Sequence, residues 1–155
     1  MFRALIIAFT IFICACATLD RMDTPKYAIR IENIEMPLLS LQHLAAAVVP
    51  IGVASTSSNG REFNSQLFIL DQGSYKPAGA ALMRYWARVT VKGSARPYAM
   101  EVFVTREKRV LSGEDFSYAQ AGHDSRLAKE IADKIRDQLS KRREDRNIID
   151  DFRVF

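Results

Sequence analysis

The chain has 155 residues, with 22 Lys and Arg against 18 Asp and Glu, a formal net charge of +4. That length suits one domain rather than two, and so mild a basic balance does not argue for nucleic acid as a partner. Both cysteines, Cys14 and Cys16, lie near the start, so no thiol further on is available for a disulfide and the domain must be stable through its core alone.

From Ala4 to Ala15 the only non-apolar residue is Thr10, behind a single positive charge at Arg3. A bilayer-spanning helix needs about 20 apolar residues. This run stops short of Asp20, Arg21 and Asp23 and matches the core of a secretory signal, roughly 7–15 residues behind a basic start. Two processing patterns sit at its end. Ala15-Cys16-Ala17 is an A-x-A-like site, and cutting after Ala17 would release an unanchored, secreted domain. Ile13-Cys14-Ala15-Cys16 instead resembles the lipobox of bacterial lipoproteins: an aliphatic residue, a variable one, a small one, then the modified cysteine. Cys14 departs from the Ala, Ser, Thr or Val usual at its position.

The resemblance implies a signal peptide over 1–15, cleavage before Cys16, diacylglycerol on the sulfur of Cys16 and acylation of its new amino group. Residues 16–25 would then be a lipidated N-terminus and tether, and 26–155 a single periplasmic domain. Ala17, rather than Asp, behind the cysteine implies the outer membrane, on its periplasmic side. One acyl chain holds a protein only marginally, whereas two or more hold it firmly. The membrane, through this lipid, is the first expected partner.

Thr18 to Pro25 ("TLDRMDTP") is polar, as a tether should be. "YAIRIENI" then alternates, with Tyr27, Ile29 and Ile31 on one side and Arg30 and Glu32 on the other, which predicts a half-buried strand. Between Pro37 and Pro50, Leu38, Leu41, Ala45 and Val48 fall at helical spacing. A buried helix is expected there; contact with a membrane leaflet or a partner is the alternative, because Leu44 to Ala54 is apolar on all sides. Ser55 to Gln66 reads as a mobile polar loop with a turn at Asn59-Gly60, followed by a short strand, "QLFIL" (Gln66 to Leu70), closed by a turn at Asp71 to Ser74.

"MRYWARVTVK" and "YAMEVFVTR" predict an antiparallel hairpin across "KGSARP". Placing Val91 opposite Tyr98 sets Met83, Tyr85, Ala87, Val89 and Val91 on one face with Tyr98, Met100, Val102 and Val104. On the other face it pairs Arg88 with Glu101 and Trp86 with Phe103, an ion pair and an aromatic pair each favourable by roughly 0.2–1 kcal/mol. Arg84, Trp86, Arg88, Glu101 and Phe103 make this second face the candidate partner-binding surface, since Trp and Arg are types that anchor interfaces. A helix or loop laid over Trp86 and Phe103, with the arginines at its rim, is the competing expectation.

A further strand, "DFSYAQAG" (Asp115 to Gly122), leads to a helix capped by Asp124 or Ser125 and running to about Arg143. Leu127, Ile131, Ile135 and Leu139 form its apolar stripe, widened by Ala128 and Ala132. Glu130–Lys134 and Asp137–Lys141 are favourable i,i+4 pairs. The tail "NIIDDFRVF" is too apolar to float free and should dock on the domain or be completed by a partner.

No catalytic motif stands out. His43 lies in the apolar segment as a buried or rim residue. His123, Asp124 and Ser125 are adjacent, and adjacent residues do not point at one another as a triad requires. No metal site and no cofactor site is expected from so few histidines and no downstream thiol. These observations together predict an α+β domain, an antiparallel sheet of about four strands with a C-terminal amphipathic helix packed on it. The expected role is non-enzymatic: an envelope accessory factor holding a protein or glycan partner. A cell-envelope enzyme is the alternative.

Overall fold

The computed structural model describes residues 26–112 and 115–151. The signal segment, Cys16, the tether Thr18–Pro25 and the tail side chains from Ile148 to Phe155 lie outside the described residues. The elements, in chain order, are β1 (Ile29–Ile34), α1 (Leu38–Val48), β2 (Val53–Thr56), β3 (Glu62–Ser65), β4 (Phe68–Asp71) and β5 (Ser74–Pro77). They continue with β6 (Met83–Lys92), β7 (Tyr98–Ser112), β8 (Asp115–His123) and α2 (Ser125–Asp151). All eight strands join one antiparallel sheet, an α+β arrangement larger than the four strands expected.

The long β6–β7 hairpin is the spine of the sheet. Along the free side of β7, β1 pairs with Tyr98 to Val102 and β8 with Thr105 to Ser112, end to end. Along the free side of β6, β3 and β4 share the strand in the same way, carrying β2 and β5 beyond them. Two of the extra strands, β2 and β3, come from the stretch expected to be a mobile loop, and β5 follows the turn expected at Asp71 to Ser74. Ser55 to Gln66 contains a β2–β3 hairpin around a turn in which Ser57 accepts from the backbone N–H groups of Arg61 and Glu62. Its polar residues carry little apolar alternation, and the pairing is supplied by neighbours: Phe63 is buried opposite Val89, and the Ser65 hydroxyl accepts from the Ala87 N–H at 2.8 Å. β4 and β5 close on Gln72 and Gly73, both at positive φ, as a two-residue hairpin turn demands.

Both helices pack on one face of the sheet. Ala87, Val89 and Val91 of β6, with Met100, Val102 and Val104 of β7, meet Leu41, Leu44 and Ala45 of α1 and Leu127, Ile131 and Ile135 of α2 in one buried core. Alternation alone dictates this face, because successive strand residues point to opposite sides. α1 is the helix expected there, buried along Leu41, Leu44 and Ala45, although Leu39 remains 65% exposed. Asp124 caps α2, its Oδ1 accepting from the Leu127 N–H at 2.9 Å. The helix backbone continues past Arg143 to Asp151.

The hairpin register differs from the expected one by two residues. Val91 faces Met100, Val89 faces Val102, Arg88 faces Phe103 and Trp86 faces Thr105. A shift of two leaves every residue on its expected face, so the apolar pattern cannot detect it. The connection keeps its length but moves one residue along, from 92–97 to 93–98, with Gly93 at φ +105° and a cis Arg96-Pro97 bond. Tyr98 is drawn into pairing with Ile34 of β1 instead of closing the hairpin.

Candidate functional site

The sheet face opposite the helices carries the residues singled out from the sequence, and among the described residues no helix lies over it. Arg84, Trp86 and Arg88 form a row on β6, each half-buried. Phe103 stands directly opposite Arg88 and is likewise half-buried. The expected Trp86–Phe103 and Arg88–Glu101 pairs do not form, because the two-residue shift makes them diagonal neighbours. Glu101 belongs elsewhere. It lies opposite Arg30 of β1 and Thr90 of β6, is only 6% exposed, and sits 3.6 Å from both the Arg30 guanidinium and the Lys92 amine. A carboxylate so placed is a tie within the sheet rather than a contact offered to a partner.

Arg88 turns instead toward β3, donating to Asn64 Oδ1 at 3.1 Å and lying 3.4 Å from Glu62. Arg84 makes the direct cross-strand ion pair of the hairpin, with Glu107 at 2.7 Å. The face extends onto β8, beyond the five residues expected to form it. Three guanidinium groups stack on aromatic rings across this face, two of them on rings of β8: Arg84 over Tyr118 at 3.4 Å, Arg109 over Phe116 at 4.6 Å and, within β6, Arg88 over Trp86 at 5.2 Å. Each such contact is worth about 0.5–1 kcal/mol at an exposed site. The Tyr118 hydroxyl also donates to the Ala81 carbonyl at 2.8 Å. The available signal for these residues was alternation along "DFSYAQ", which places Phe116, Tyr118 and Gln120 on one face, joined to the β7 pattern by the pairing of Tyr118 with Arg109.

At the inner end of this face the His123 ring lies 4.5 Å from Phe103 and 5.1 Å from Tyr27. Its Nε2 is 3.3 Å from the Gln120 amide, while Nδ1 and the facing Thr105 hydroxyl are buried without a partner among the described residues. Asp124 is committed to capping α2, so His123, Asp124 and Ser125 do not assemble as a triad. Among the described residues no three His, Cys, Asp or Glu side chains gather as a metal site, and no helix is long and apolar enough to cross a membrane.

On the other side of the molecule, an open groove of about 590 Å³ runs between α1 and the β2–β3 turn, lined by Leu39, Gln42, His43, Ala46, Gly60 and Phe63. His43 is an exposed residue of its rim.

No protein-family model matches the chain, and neither a curated protein nor a solved structure is significantly similar to it.

Proposed function

We propose that this chain is a lipid-anchored, non-enzymatic accessory protein of the bacterial envelope that holds a protein or glycan partner on the open face of its sheet. The observation that carries the binding half is the row of Arg84, Trp86, Arg88 and Phe103, which no described helix covers and whose guanidinium groups are already fixed by Glu107, Asn64 and Glu62. Side chains held in place before contact lose little freedom on binding, and Trp and Arg are the types that dominate interface energetics. The anchoring half rests on the lipobox-like Ile13-Cys14-Ala15-Cys16 behind a signal-length apolar run. Lipid at Cys16 and a tether over 16–25 would hold the domain on the periplasmic side of the outer membrane.

The two halves are tested separately. Cys16→Ser should abolish palmitate labelling and leave unprocessed precursor, whereas Cys14→Ser should keep the label; a mature, unlipidated chain beginning at Thr18 would replace the anchor with secretion. Trp86→Ala should abolish partner cross-linking in intact envelopes while leaving the melting temperature nearly unchanged. A large loss of stability would place Trp86 in the core and remove the binding face.

A further inference from the structure

The free edges of this sheet are not equally protected. Unpaired strand edges invite another strand, and proteins blunt them with short length, charges, Pro or bulges. β2 and β5 have four residues each, and β5 carries Lys76 and ends in Pro77. β1 carries Arg30 and Glu32, with an irregularity at Asn33, which has positive φ. β8 has nine residues, "DFSYAQAGH", with one carboxylate at its first position, no Lys and no Pro; Asp115 to Gln120 pair with β7 in unbroken register, and the one bulge comes after them, at Ala121–Gly122. Among the described residues it pairs only with β7. The Tyr118 side chain leans back over the sheet toward Arg84 and Ala81, away from the free edge.

Opposite charges stand near the two ends of this strand. Asp115 is exposed at its start. At the other end, Arg106 reaches across from β7 and donates Nε and Nη2 to the Ala121 carbonyl at 3.2 and 3.0 Å. Among the described residues neither charge has an ion-pair partner. Arg106 and Asp115 belong to the same face of the sheet, since Asp115 is opposite Ser112 and even-numbered β7 residues share a face.

From this we propose that β8 pairs antiparallel with β8 of a second copy of this chain, about a two-fold axis near Tyr118. That register sets Asp115 of each copy opposite Ala121 of the other, beside the waiting Arg106, so two symmetric ion pairs close at once. It also places Phe116, 61% exposed, opposite Gln120 of the partner copy, adding a second neighbour to a ring already stacked by Arg109. The two open faces then become one continuous surface. Pairing along one strand is smaller than an obligate interface, so the dimer is reversible. The proposal stands whether or not Cys16 is lipidated.

Light scattering on the full chain in mild detergent, with the detergent mass accounted for, over a dilution series tests it. The wild type should pass from dimer to monomer on dilution. Ala119→Lys, which puts a charge on the edge, should leave a folded monomer. Arg106→Asp and Asp115→Arg should each raise the dissociation midpoint roughly tenfold, and the double exchange should restore it. Asp115 is exposed, so its substitution spares the fold, as circular dichroism should confirm. A wild type monomeric throughout, a dimer indifferent to Ala119→Lys, or a double variant no tighter than the singles would each overturn the proposal.

Discussion

Tyr75 on β5 and Glu130 on α2 show how one hydrogen bond ties the sheet margin to a helix. The phenol donates to Glu130 Oε1 at 2.7 Å, and Lys134 sits 3.2 Å from the same oxygen and 4.4 Å from the Tyr75 ring. The bond from Tyr75, helped by Lys134, holds the Glu130 carboxyl below its usual range. Burial, then the neighbouring carboxylate, pushes the Tyr75 phenol above its own. A lowered carboxylate pKa stabilises the fold fully above the unfolded value, about pH 4.3, and that contribution is lost as pH falls through the lowered one. A raised phenol pKa acts at the other end. Above about pH 10 the unfolded chain releases a proton the folded one retains, so stability declines as pH rises. Tyr75→Phe should therefore flatten both the acid and the alkaline arms of the melting-temperature profile. Arms as steep as the wild type's would show that other groups set the profile.

At the scale of elements, α2 is held by its first half. Leu127, Ile131 and Ile135 are fully buried against the sheet and α1, whereas Leu139 is only partly buried. Ile131→Ala should cost about 2–5 kcal/mol in urea unfolding, the range for large-to-small changes in a packed core, and Leu139→Ala clearly less. Equal losses would mean that the helix packs along more of its length than the burial indicates. This stripe was legible in the sequence because a period of four residues admits one reading. The β6–β7 faces were legible for the same reason, but their register was not, since side-chain alternation repeats under a shift of two. What chose the register lies outside the hairpin, in the pairing of Tyr98 with Ile34 and of Glu101 with Arg30. Likewise Ser55, Asn64 and Ser65 carry no strand signal of their own; β3 pairs because β6 offers it an edge, and β2 because β3 does. Half of the candidate site was therefore visible, the Arg84–Trp86–Arg88 row with Phe103. Tyr118, Arg109 and Phe116 joined it only once β8 was placed against β7, and Glu101 left it once β1 arrived on the other side.

Over the whole molecule, two helices seal one sheet face and, among the described residues, no helix covers the other, so on the proposed reading the layer arrangement separates stability from recognition. Substitutions under α1 and α2 should register as lost stability, and those on the open face as lost partner. The same arrangement also fixes an order of events in building the molecule. β1 and α1 come first in the chain, yet Ile31 pairs with Met100 and the core under α1 is completed by α2. Closing so long a stretch of chain costs entropy that no contact repays until β7 exists, whereas β6 and β7 meet across a short connection. A chain delivered N-terminus first would therefore present Ile29, Ile31 and Ile34 before anything covers them. The hairpin at its middle forms early, and the opening strand docks onto it late. Until then, that apolar strand is what a chaperone would have to shield.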